Sequence, residues 1–277
     1  MSIDVRALAI RFADLWAVDP HQMADEIYSG GIVMESMANP ERYITSNVGL
    51  HAIEDRLAVL IPEHRHELVR VLVDGRMACL ETTVVAPLTH EYAPACVWWW
   101  VGDDAQVAFE VGWFDWELRN SEGHVAHGTV PPSAASGRTM TRDSWERLAN
   151  QYVAAWSNDP LGEGLAMFSP ECTSGQVGRA ESLGLPELQR DRERELGVLP
   201  VPGRRMDLHC ALGEGSCLAM LVVIGDEERA TRGTIVVTLD AAGRIISERR
   251  YLDWAKALPR AEYEARVLVG SPLWSPT

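Results

Sequence analysis

Apolar residues near the start of the chain recur at helical spacing: Val5, Leu8, Phe12, Leu15 and Trp16 form one stripe, which Asp19-Pro20 interrupts. The spacing predicts a helix over 3–18 stopped by the proline, a short helix over 21–28, a strand over 31–36 and a helix over 49–61. Alternation of period two then takes over and predicts strands over 66–74, 77–87, 95–101, 107–119 and 124–130. Leading helices followed by consecutive strands make an α+β domain, with helices packed on one face of a curved antiparallel sheet.

The same pattern begins again 140 residues later. "FADLWAVDP" (Phe12 to Pro20) is echoed by "YVAAWSNDP" (Tyr152 to Pro160), with Val5 falling on Trp145, Leu8 on Leu148 and Trp16 on Trp156. "VGLHAIEDRL" from Val48 resembles "LGLPELQRDR" from Leu183, and "LVDGRMACLE" from Leu72 matches "ALGEGSCLAM" from Ala211. "FDWELRNSEGHV" from Phe114 parallels "VVTLDAAGRII" from Val236. Blocks repeated in one order imply a tandem duplication. "GTVPPSAASGRTMTR", rich in Pro, Ser, Gly and Thr, reads as the seam. Domain one is therefore expected over 1–128, a linker over 129–140, and domain two over 141–277 with a C-terminal tail.

Composition narrows the function classes. Hydrophobic residues make up 47% of the 277 and charged residues 23%, enough core for two soluble domains. A net charge of −15 argues against nucleic acid or an anionic membrane as partner. Five cysteines without a C-x-x-C pair read as reduced thiols. No apolar run approaches the roughly 18 residues of a membrane span, and the N-terminal stripe is helical where a signal peptide would be continuously apolar. The expectation is a cytoplasmic, unanchored protein.

A helix ending in "W..DP", the strand "IVMES", a "GL..I...L" helix ending near proline, "ELVRVLVDG" and a last strand before "EGHV" together resemble the nuclear-transport-factor-2-like fold. Within it they are most similar to the SnoaL-like polyketide cyclases, which are related to the two-domain polyether epoxide-opening cyclases. The resemblance implies two cone-shaped domains, each enclosing an apolar pocket. It implies no metal or organic cofactor, and carboxylates, sometimes with His or Tyr, that do acid–base work where desolvation raises a carboxyl pKa. The activity implied is that of a cyclase, isomerase or epoxide hydrolase acting on a small apolar, polyketide-like intermediate. Non-catalytic ligand-binding and protein-interaction modules share the fold, so they form the competing class.

On the pattern of those cyclases, Glu35 ends the strand where an acid acts on the epoxide, with Ser36 replacing the usual proline. The partner acid falls in "PEHRHEL": counting forward from the preceding helix selects Glu67, counting back from Gly75 selects His64, and Glu63 stays open. In an extended stretch Glu63, Arg65 and Glu67 share one face while His64 and His66 share the other. The H-x-H could offer imidazoles to a metal, but the spacing brings no third ligand, so none is expected. Trp16, Trp99, Phe114 and Trp116 are aromatic candidates for a substrate pocket, and Glu81 and Glu110 are secondary acids within strands. The same aromatics serve equally as core, as the contact between the two domains, or as a homodimer surface. In domain two, Gly175, Gly203 and Arg204 stand where Glu35, Glu63 and His64 stand, and only Glu67 keeps an acid, Asp207. Domain two is thus expected to be structural or degenerate, and the chemistry to lie in domain one.

Overall fold

The computed structural model describes residues 3–37, 43–114, 140–177, 181–198, 205–252 and 257–267. They fall into two compact units, one holding the described residues up to Phe114 and the other those from Met140 to Arg266. Both are mixed α+β.

The first unit runs α1 (Val5–Trp16), α2 (Pro20–Ile27), β1 (Tyr28–Ser36), β2 (Tyr43–Ile44), α3 (Asn47–Leu60), β3 (Arg65–Asp74), β4 (Met77–Ala86), β5 (Glu91–Val101) and β6 (Val107–Phe114). The Asp19-Pro20 pair starts α2 more than it stops α1. The Asp19 carboxylate accepts from the backbone N–H groups of His21 and Gln22, and Pro20 takes the first helical position, where no donor is required. The stripe of α1 buries Val5, Ala9, Phe12 and Leu15 against Leu80, Trp99 and Val107 of the sheet. Each large apolar side chain so buried contributes about 1.5–3 kcal/mol. The β3–β4 hairpin turns at Gly75, whose φ of 60° lies in the left-handed region that glycine enters without steric cost.

The strands order as β2-β1-β6-β5-β4-β3. The sheet is not wholly antiparallel, because β1 pairs parallel with β6. The β2–α3 segment carries the chain to the far edge, and three hairpins return β6 alongside β1 in the same direction. An all-antiparallel sheet was the expectation from the sequence; a long crossover leaves no local signal that would reveal the parallel pair.

The second unit runs α4 (Arg142–Asn158), α5 (Glu163–Ala166), β7 (Phe168–Gln176), β8 (Ser182–Leu183), α6 (Leu185–Val198), β9 (Arg205–Glu214), β10 (Cys217–Gly225), β11 (Arg229–Leu239), β12 (Ile245–Tyr251), β13 (Leu258–Pro259) and α7 (Arg260–Val267). Its strand order, β8-β7-β12-β11-β10-β9, repeats the first, with β7 and β12 parallel. Register fixes which residues correspond: Met34 lies opposite Glu110 as Ser174 lies opposite Glu248. Val236–Leu239 belongs to β11, the counterpart of β5, so the sequence match of this stretch to Phe114 onward is one hairpin out of step.

Candidate active site

Three short pieces of sequence build the site in the first unit. In β6, Glu110 is the acid of "VAFEVGWF"; it pairs across the ladder with Trp99 of β5 and along the parallel edge with Met34 of β1. Tyr28, at the α2–β1 junction, donates its hydroxyl to Glu110 Oε2 at 2.6 Å, and the Trp99 indole N–H donates to the same oxygen at 2.7 Å. Both of these bonds fall on Oε2 rather than on Oε1. Gly112, two positions on, lies beside that oxygen: a Cβ there would come within 3.2 Å of it.

In α3, Leu50, Ile53, Glu54 and Leu57 line the side facing the sheet, so an acid lies inside an apolar stripe. Glu54 is 2% exposed, and its Oε2 has no hydrogen-bond partner among the described residues; His64 Nε2 lies 3.7 Å away. After α3 the chain brings in His64. Its Nδ1 lies 2.9 Å from the Ile61 carbonyl oxygen, which can only accept, so Nδ1 carries the proton. Its Nε2 accepts from the Trp16 indole N–H at 3.0 Å. His66 stacks on Trp16 with centroids 3.7 Å apart and meets the Thr82 hydroxyl at 3.1 Å.

Trp16, Tyr28, Glu54, His64, His66 and Glu110 border a cavity of about 140 Å³ whose other walls include Phe12, Met34, Leu50, Ile53, Val97 and Phe114. The apolar surroundings set the electrostatics. Burial raises the Glu110 carboxyl to about 7, because the hydrogen bonds of Tyr28 and Trp99 to the ionised form only partly offset desolvation and the charge of Glu54 adds to the rise. Burial also raises Glu54, opposed by His64 and Trp16. It pushes His66 down to about 3, with the neighbouring His64 a lesser cause. At neutral pH, then, one carboxyl is poised between its two forms in a water-poor pocket.

No family model and no curated protein matches the sequence. Similar solved structures include a candidate isomerase of the SnoaL-like family from Agrobacterium tumefaciens str. C58, 12% identical, covering 40% of this chain and 96% of that one with a TM-score of 0.35. Another is a candidate SnoaL-like polyketide cyclase from Jannaschia sp. CCS1, 13% identical, covering 42% of this chain and 89% of that one with a TM-score of 0.36. At these identities and scores the likeness assigns no activity, so the chemistry is read from the site.

The residues singled out in the sequence land in different places. His64, Trp16, Phe114 and Glu110 border the cavity. Glu35 contributes to the lining from β1, but it pairs with Val111, the alternate position to Glu110. Glu63 and Glu67 are exposed; Glu63 has a φ of 59°, and Glu67 ion-pairs with Arg65 at 2.9 Å on the strand face opposite the histidines. The structure therefore does not bring them to Glu35. Packing decides this face: the Phe12 and Trp16 rings of α1 hold His66 inward. Glu81 sits away from the cavity, buried with Arg70 at 3.5 Å. Trp99 stands behind Glu110, edge-on to Phe12 at 5.1 Å, and acts through its N–H rather than as cavity wall. Trp116 lies outside the described residues. Tyr28 and Glu54 are site residues that the sequence reading passed over. Among the described residues no group of three or more His, Cys, Asp or Glu side chains is arranged to hold a metal, and no helix is long and apolar enough to cross a membrane.

The second unit carries a counterpart with the opposite electrostatics. Glu248, fully buried, accepts from the Tyr152 hydroxyl, from Ser174 Oγ at 2.5 Å, and from Arg192 Nη2, which lies 2.9 Å from each carboxylate oxygen. Burial alone would raise its pKa; Arg192 and Arg250 outweigh that and hold it below the ordinary value. Arg192 follows the buried Leu188 by four residues on α6, as Glu54 follows Leu50 on α3. The same helix position thus offers an acid to one carboxylate and a guanidinium to the other.

Proposed function

We propose that the chain is a tandem of two SnoaL-like domains and that the first is a cofactor-independent acid–base enzyme, isomerising or cyclising a small apolar, polyketide-like intermediate. One observation carries the reading: Glu110 is a carboxyl raised to about 7 inside an apolar cavity, with one oxygen anchored by Tyr28 and Trp99 and the other left to a ligand. A group whose pKa matches the working pH is populated as both base and acid. As the carboxylate, Glu110 takes a proton from a carbon next to a carbonyl; as the acid, it returns a proton to the enolate at another carbon or oxygen. In an epoxide-opening version, Glu110 or Glu54 protonates the epoxide oxygen while the other accepts the proton of the attacking hydroxyl. His64, fixed by Ile61 and Trp16, lies 3.7 Å from Glu54. Glu35 borders the same space, whereas Glu63 and Glu67 take no part. A cavity near 140 Å³ compares with engineered cavities of about 150 Å³ that hold benzene, so the reacting portion is ring-sized.

The test is deuterium exchange in heavy water at the carbon next to the carbonyl of cyclic ketones, followed by NMR. Wild type should accelerate exchange, and Glu110→Gln should lower the rate by about 10²- to 10⁴-fold. Equal rates for the two proteins reject the acid–base role; binding of the ketones without exchange favours a ligand-binding module.

A further inference from the structure

We infer that the ligand of this cavity carries an amine, bound as an ammonium between Glu54 and Glu110, where the second unit has its own cation against Glu248. The inference rests on reading the Glu110 cavity as the substrate site. Two buried carboxyls, Glu54 and Glu110, line that one space. One of them, Glu54, is 2% exposed with Oε2 unpartnered among the described residues, a costly state unless something else supplies a donor.

Among the described residues no Lys or Arg borders the cavity. His64 is engaged elsewhere, its Nδ1 on the Ile61 carbonyl and its Nε2 on the Trp16 indole N–H. His66 is held neutral by burial. In the second unit the equivalent carboxylate is met by the Arg192 guanidinium, reaching from the helix position that Glu54 occupies in the first. Exchanging that arginine for glutamate removes a positive charge and adds a buried acid, so an ammonium on the ligand would restore the charge that Arg192 supplies in the second unit. Phe12, Trp16 and Phe114 suit it, since aromatic rings attract an ammonium and an apolar ring alike. A carboxylate or phosphate would meet two acids there.

Calorimetric titration of the full chain at pH 7.5 with benzylamine, benzyl alcohol and benzoate tests this. Benzylamine should bind about tenfold or more tighter than benzyl alcohol, and benzoate not measurably. Glu54→Gln should abolish the preference, with an unchanged circular dichroism spectrum and urea midpoint certifying the fold. Glu54→Arg, copying the second unit, should exclude benzylamine. Failure of benzylamine to bind, equal affinity for the alcohol, or a preference that survives in both Glu54→Gln and Glu110→Gln overturns the inference. Amine preference without ketone exchange would leave it standing and sink the acid–base reading; exchange without amine preference would do the reverse.

Discussion

Glu54 on α3 and Arg192 on α6 hold the same place in two copies of one topology and reverse the charge set beside Glu110 and Glu248. The scaffold is repeated while the electrostatics are inverted: one carboxyl is lifted toward neutrality, the other locked as a carboxylate.

The inversion predicts opposite pH responses. Glu110 has a native pKa of about 7 against an ordinary 4.5. Between these values the unfolded chain loses its proton while the native protein keeps it, so stability falls as pH rises. The loss is on the order of 3 kcal/mol, from two and a half pH units at about 1.4 kcal/mol each. Glu248 contributes the other way, with stability present above the ordinary carboxylate range and lost as pH falls through its lowered native value. Urea unfolding of wild type and Glu110→Gln from pH 4.5 to 8 checks the first sign. The variant should lose distinctly less stability over that range, and parallel curves would refute the prediction.

Breaking the Arg192–Glu248 pair should be severe. Arg192→Met leaves the buried carboxylate with Arg250 alone, at 3.4 Å, and should cost about 3–5 kcal/mol, whereas Arg192→Met with Glu248→Met should recover most of it. Chemical denaturation of the three proteins measures both, and a single variant as stable as wild type would show that the pair does not hold the second unit's core.

Tyr28→Phe removes one of the two donors to Glu110 Oε2. Since that bond favours the ionised form, its loss should raise the Glu110 pKa further and cost about 1–3 kcal/mol of stability. Carboxyl titration by NMR on the variant reads the direction.

Gly112→Ala puts a methyl 3.2 Å from Glu110 Oε1 and 3.3 Å from Val97 Cγ1. Ketone exchange should fall by about tenfold or more, because the oxygen that would meet the ligand must move or be covered, and a displaced reacting group loses rate steeply. The circular dichroism spectrum should stay that of wild type; an unchanged exchange rate would mean that Oε1 is not the reacting oxygen.

Much of this architecture was legible in the residues. Helix spacing around Phe12 and Trp16, and alternation through "ACVWWWV", locate α1 and β5 to within a few residues, and alternation places Trp99 opposite Trp98 and Trp100. Glu110 was legible only as a secondary acid within a strand, on a par with Glu81. Glu54 was passed over, although an acid between Ile53 and Leu57 in the stripe begun by Leu50 was available as a signal. Gapless matching set Arg192 against Leu57 rather than Glu54, and it put the last hairpin out of step, which hid both Glu248 and the charge reversal. Which face of "EHRHE" turns inward depends on how α1 packs across β3, a tertiary fact that a five-residue window does not contain.

The central claim is that Glu110 is an acid–base group poised near neutrality. Carbon-13 NMR of the glutamate carboxyls in labelled protein, with the Glu110 resonance assigned by its loss in Glu110→Gln, tests it most directly. The account predicts a titration midpoint near 7. A midpoint at the ordinary 4.5 would contradict it.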